Sequence, residues 1–144
     1  MSCQILLVDD DDAVRALAQE MLAELGHQVT AVGTGALALE RLRDDEAFDL
    51  LLADYAMPVM TGVQLAAEAI RLRPGLPVLF ITGYADTDIL KPWLARGYGM
   101  LSKPFSSAYL SHAIQQTLAR LDRDPARNKK NQSSDRTAKP DWCA

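Results

Sequence analysis

The chain has 144 residues, 49% of them apolar, and a formal net charge of −4. That length and composition suffice for one core without metal or disulfide staples, and no apolar run approaches the roughly 20 residues needed to span a bilayer. The charge is uneven: residues 122–144 carry six Lys or Arg against four Asp, leaving −6 for residues 1–121, which argues against direct DNA binding.

The start Met1-Ser2-Cys3-Gln4 lacks the basic segment and apolar core of a secretion signal, so a cytoplasmic protein without membrane contact is expected. Cys3 and Cys143 stand at opposite ends of the chain and read as free thiols of a reducing compartment.

In chain order, Gln4–Val8 is an apolar run of strand length, closed by Asp9 and Asp10. Asp11 or Asp12 can cap the helix that follows, whose apolar face is Val14, Leu17, Met21, Leu22 and Leu25, with Gly26 just past its end. Gln28–Val32 is a second strand and Asp49–Ala53 a third, closed by Asp54. Pro74-Gly75 marks the exit from the third helix, and Pro77–Ile81 is a fourth strand, closed by Thr82.

Pro92 falls where the fourth helix should run and removes an internal hydrogen bond, so that helix is expected to start late or kink. A short fifth strand, Gly99–Leu101, precedes Lys103-Pro104, and Leu110, Ile114, Leu118 and Leu121 form the face of a fifth helix. Residues 123–144 have almost no apolar content and are expected to be a disordered polar tail behind a domain of residues 1–122, with Trp142 part of a solvated terminus.

Five β-α repeats predict an α/β fold: a parallel sheet of five strands with right-handed crossovers and helices on both faces. In such sheets ligands sit beyond the carboxyl ends of the strands, where Asp9, Asp10, Asp54, Thr82 and Lys103 would converge. Like charges about 4 Å apart repel by about 4 kcal/mol at an effective dielectric near 20, so clustered carboxylates call for a cation. Magnesium suits an oxygen site completed by phosphate and water. With Lys103, Thr82 and loop amides neutralising a phosphoryl group, a carboxylate can act as nucleophile and form an aspartyl phosphate.

The pattern Leu7-Val8-Asp9-Asp10, then Asp54 with Met57-Pro58 and Met60-Thr61-Gly62, then Ile81-Thr82-Gly83, then Lys103-Pro104-Phe105 resembles the receiver domain of two-component response regulators. The resemblance covers residues 4 to about 121. It implies the doubly wound, flavodoxin-like strand order 2-1-3-4-5. It further implies that Asp54 is the phosphoacceptor, and that Asp10, Asp54 and the Ala56 carbonyl hold Mg2+ with Asp9 assisting. Thr82 would be the switch hydroxyl, Lys103 the phosphoryl counter-ion, and the Lys103–Pro104 bond cis.

The implied phosphodonor is a sensor histidine kinase or a histidine phosphotransfer protein. The implied output is a protein target at the face of helix 4, strand 5 and helix 5, with a homodimer on activation as a further partner. The protein is thus expected to be a stand-alone signalling switch and not an enzyme, though a receiver module of a hybrid kinase or a phosphate sink fits the same residues. Two positions depart from the family. Met100 stands where Tyr or Phe is usual three residues before the lysine, with Tyr98 facing the same way on the strand, and Pro92 interrupts helix 4. Ala56 and Tyr84 lie two residues beyond Asp54 and Thr82, and Tyr84 is expected to shield the acyl phosphate from water.

His27 and His112 adjoin no site residue and are expected to be surface or partly buried residues, while Met57, Met60 and Met100 are expected to pack or shape loops and not to ligate metal. A rival enzyme reading is a haloacid-dehalogenase-type phosphatase, since Asp10-Asp11-Asp12-Ala13-Val14 matches that family's acidic signature, but it leaves Asp54 and Met57-Pro58 unexplained. A pseudo-receiver that binds partners without phosphorylation is the third class.

Overall fold

The structure is a computed structural model that describes residues 2–44, 46–83 and 87–122. Five strands, β1 (Gln4–Val8), β2 (Gln28–Val32), β3 (Leu50–Asp54), β4 (Val78–Thr82) and β5 (Gly99–Ser102), alternate with α1 (Asp12–Glu24), α2 (Gly35–Arg43), α3 (Gly62–Leu72), α4 (Thr87–Ala95) and α5 (Ser107–Asp122). The strands form one parallel sheet in the order β2-β1-β3-β4-β5, as expected. The expected tail, with Trp142 and Cys143, and Tyr84 lie outside the described residues.

The alternation of side chains along each strand divides the core into two layers. On one face Leu6, Val8, Leu51, Ala53, Val78 and Phe80 pack against α2, α3 and α4. On the other Ile5, Leu7, Leu50, Leu52, Leu79 and Ile81 pack against α1 and α5. Strands sandwiched this way are apolar on both faces along their middle residues, which is why they read as continuous runs.

Four details correct the sequence expectations. Strands β3 and β4 each sit one residue later than predicted, so Asp54 and Thr82 are their last residues and not the first beyond them. Leu17 is 56% exposed, because α1 buries Ala18 in its place beside the expected Leu22. His27 is buried, its Nδ1 accepting the Cys3 amide at 3.0 Å; burial lowers its pKa, with the chain's amino terminus adding to the effect. Finally, Pro92 lies inside α4, so the helix begins ahead of it rather than after it.

The ends of α1 follow its caps. Asp11 caps the N-terminus, its Oδ1 accepting from Ala13 and Val14 at 2.9 and 3.0 Å. Gly26, at φ 95°, ends it in the left-handed conformation that glycine adopts without a Cβ penalty.

Candidate functional site

Register brings the acids together. Val8 of β1 pairs with Ala53 of β3, and Asp54 with Ile81 of β4. The ladder then runs past the strand ends: Asp9 N donates to Val32 O at 3.2 Å, Tyr55 N to Ile81 O at 2.7 Å and Lys103 N to Thr82 O at 2.9 Å. Backbone bonding therefore holds Asp9, Asp54, Thr82 and Lys103 at one level on the sheet's carboxyl edge. By the same alternation Asp54 projects toward the α1/α5 layer with Leu50 and Leu52, whereas Thr82 lies on the α4 face with Val78 and Phe80.

Within this edge, one carboxylate oxygen each from Asp9, Asp10 and Asp54 lies within 4.8 Å of the others. Asp9 and Asp54 are buried, at 0% and 4% exposure, while Asp10 opens to solvent. Lys103 Nζ stands 3.2 Å from Asp54 Oδ1 and 3.8 Å from Asp9 Oδ2. Three carboxylates facing one ammonium leave two negative charges uncompensated. Burial, then the Asp9 carboxylate, push the Asp54 pKa up to about 6 despite Lys103, which pulls it down. Burial likewise raises the pKa of Asp9, against the Asp11 amide and Lys103.

The donor set fits a small divalent cation. Asp9 Oδ1 accepts the Asp11 amide at 2.9 Å, but the buried Oδ2 has no hydrogen-bond partner. A fully buried acceptor left in that condition costs free energy unless a cation or water satisfies it. Asp9, Asp10 and Asp54 each offer one hard oxygen to the same place, the kind of ligand that a small divalent cation takes. The cluster can therefore hold a hard metal ion.

The loop after β3 is built to bring Asp54 close to α3. Gly62 N donates to Tyr55 O at 2.8 Å, and a Cβ on Gly62 would meet Asp54 O at 2.6 Å and Tyr55 Cα at 2.9 Å. No other residue type fits there without moving the phosphoacceptor candidate. Thr61 caps α3 in a reciprocal box with Gln64, at 3.2 and 2.9 Å. Ahead of this cap Val59 is fully exposed at φ 71°, an unfavourable conformation for a β-branched residue, so this loop carries local strain. Met57 is buried and Met60 packs on the same core, as expected of loop-shaping residues.

The remaining expected site residues fall as follows. Thr82 is fully buried, and its Oγ1 donates to Gly83 O at 2.7 Å. The Lys103–Pro104 bond is cis. Ala56 is exposed beside the acids in sequence. Tyr98 is buried and half-buried Met100 packs against the same cluster, so both face α4, as the alternation predicts. Asp12 is not in the acid cluster; it pairs with Arg15 at 2.6 Å. His112 is exposed on α5.

Two features escaped the sequence analysis. Trp93 packs edge-on against Phe80 and Tyr98, with ring centroids 5.5 and 5.3 Å apart, and the Arg96 guanidinium covers both Trp93 and Tyr98. Arg15 donates to the Asp9 carbonyl at 2.9 Å. The one sequence signal for Arg15 is its spacing three residues after Asp12; for the aromatic group there is none beyond composition.

Comparison with known proteins agrees with this geometry. The family model described as "Response regulator receiver domain" matches residues 5–115. The response regulator receiver protein CpdR of Brucella abortus is 40% identical over 116 residues, covering 80% of this chain and 96% of that protein. The sensor kinase CckA of the same organism is 32% identical over 123 residues, covering 84% of this chain but 13% of the kinase. Among solved structures, a CheY-like receiver domain protein from Methanospirillum hungatei superposes with a TM-score of 0.73 at 30% identity, covering 90% of this chain and 99% of that one. With the sheet order, the acid-lined strand mouths and these similarities in agreement, the chain belongs to the response regulator receiver domain family of two-component signalling.

Proposed function

We propose that this receiver is a phosphorylation-operated protein switch with Asp54 as the phosphoacceptor. The observation that carries the reading is Asp54 itself, a nearly buried carboxylate with an ammonium at 3.2 Å and two further carboxylates grouped around it. Asp9, Asp10, Asp54 and the Ala56 carbonyl would hold Mg2+, which supplies charge neutralisation for the phosphoryl oxygens.

The Asp54 carboxylate attacks the phosphorus of a phosphohistidine on a histidine kinase or histidine phosphotransfer protein. An O–P bond forms as the N–P bond breaks, and the imidazole leaves. Lys103 moves from carboxylate counter-ion to phosphoryl counter-ion, and Thr82 gives up its bond to Gly83 O to donate to the new oxygens. On this reading the protein accepts and releases one phosphoryl group of its own and is a switch rather than an enzyme.

Thr82 transmits the change because it projects to the α4 layer while Asp54 projects to the other. Drawing its side chain toward the phosphoryl group disturbs packing beside Phe80 and Trp93. The face so altered is suited to a protein partner: Ile89 and Tyr109 are 51% and 69% exposed, and a groove of about 230 Å³ is lined by Tyr109 with Met100, His112 and Arg120. Inverting a population from 1:99 to 99:1 takes about 5.5 kcal/mol, so the new Thr82, Lys103 and metal contacts must act together.

The near-complete coverage of CpdR supports a single-domain receiver, and the likeness to the receiver portion of a sensor kinase supports a module of a hybrid kinase; the chemistry is the same in both. The phosphatase rival leaves Asp54 without a role, and Asp12, the second acid of its signature, lies outside the acid cluster and pairs with Arg15. Incubation with acetyl phosphate and Mg2+ tests the reading by intact-protein mass. The wild type gains one phosphoryl group, and Asp54→Asn gains none. Equal labelling of the variant overturns the assignment, and an unlabelled wild type indicates a pseudo-receiver.

A further inference from the structure

We propose that Arg15 is a positioning residue for the metal site, acting as a clamp on the backbone that carries Asp10. This inference rests on the proposed Mg2+ reading. Asp10 is the exposed member of the acid trio, and among the described residues its carboxylate has no hydrogen bond or ion pair. Its direction is therefore set by the main chain of the Asp9–Asp12 loop, and the question becomes what holds that loop.

Arg15 holds both of its ends. Its Nη1 donates to the Asp9 carbonyl at 2.9 Å and its Nη2 to Asp12 Oδ1 at 2.6 Å, so one planar fork ties the residue after β1 to the first residue of α1. The loop is braced from inside by Asp11 N donating to Asp9 Oδ1 at 2.9 Å. The guanidinium lies against Gly33, just past β2, where an added Cβ would stand 3.2 Å from Nη1 and 3.7 Å from Cζ. The side chain is 24% exposed, so it is packed in place rather than trailing in solvent. Five donors in a rigid plane can bridge a carbonyl and a carboxylate at once, and a lysine ammonium cannot reproduce that fork.

Arg15 also brings a positive charge near a cation site, and this opposes binding. The two effects separate by substitution. Arg15→Lys keeps the charge and loses the fork; Arg15→Met loses both. Gly33→Ala leaves every charge in place and pushes on the guanidinium from the far side. Loss of a group that orients a metal ligand typically costs 10–100-fold in affinity, and a clamp acting through the backbone belongs at the lower end.

The test is Mg2+ titration of the full chain, followed by the amide signals of Asp9, Asp10 and Asp11 in NMR spectra, with thermal melting as a separate readout. The expected result is a dissociation constant about tenfold higher in Arg15→Lys, a smaller rise in Arg15→Met because removing the charge favours the cation, and a rise in Gly33→Ala. An unchanged constant in Arg15→Lys with tighter binding in Arg15→Met overturns the clamp in favour of simple charge repulsion. Unchanged constants throughout, with only the melting temperature lowered, reduce Arg15 to a fold-stabilising residue and also overturn it. If the wild type itself shows no Mg2+ response that Asp10→Asn removes, the metal reading fails rather than the clamp.

Discussion

The mouth of the sheet and the α4–β5 face lie on either side of Thr82, and they are built on opposite principles. The mouth is polar, held by backbone ladder bonds running past Asp9, Asp54 and Thr82, and its geometry is set by register. On the face, β5 shares the backbone ladder with β4, but α4 is seated on the sheet by side-chain packing, Phe80 on Trp93 on Tyr98, and is a nine-residue helix with Pro92 inside it. A site that must orient reacting atoms benefits from backbone rigidity, whereas a surface that must move is drawn from elements of low local stability. Substitutions at the mouth and at the face should therefore have separable effects on the proposed chemistry and output.

The largest expected effect is at the mouth. Lys103→Met removes the ammonium beside Asp54, and phosphoryl acceptance from acetyl phosphate should slow by about 10²–10³-fold, the cost of losing one preorganised charge-stabilising donor. A rate within threefold of wild type, on the order of 0.7 kcal/mol in barrier, would break the assignment of Lys103 to the phosphoryl group.

At the face, Trp93→Ala should act on stability instead. Truncating a buried Trp costs about 3–5 kcal/mol, and Trp93 is half-buried, so about 2–3 kcal/mol is expected from denaturant unfolding. Phosphoryl acceptance should stay near the wild-type rate. Were the rate to collapse while the fold remained intact, the mouth and the face would not be separable.

A pH effect sharpens the account of the mouth. Folding raises the Asp54 pKa from the usual value near 4 to about 6, so the folded state binds more protons between those values. The stability linked to Asp54 is fully present below pH about 4 and is lost as pH rises through about 6, by up to about 3 kcal/mol. Comparing wild type with Asp54→Asn across pH 4–7 in the absence of metal isolates this contribution. Adding Mg2+ should reduce the loss, and a difference between the two proteins that does not vary with pH would contradict it.

The same division governs what the amino-acid sequence reveals. Strands buried on both faces appear as apolar runs, and the residues that close them, Asp9, Asp54 and Thr82, are conspicuous because they are polar at the end of such runs. Backbone register then does the rest, so the mouth was legible. Leu17 lies off the buried stripe because Ala18, one turn before Leu22, takes that place. The Trp93, Tyr98 and Phe80 cluster depends on how α4 sits over β4 and β5, and Arg15 on the proximity of Gly33; both are tertiary facts with no local period. Pro92 does not mark the start of α4, because the helix already begins at Thr87.

Beryllofluoride with Mg2+, a stable mimic of the phosphoryl group, offers the most direct measurement of the central claim. Amide NMR spectra of the wild type should shift around Asp9–Asp11, Asp54–Ala56, Thr82–Gly83 and Lys103, with a second set of shifts reaching Leu90–Met100 on the α4–β5 face, and Asp54→Asn should abolish both sets. Persistence of either set in Asp54→Asn, or a wild-type spectrum that does not respond, would contradict the account.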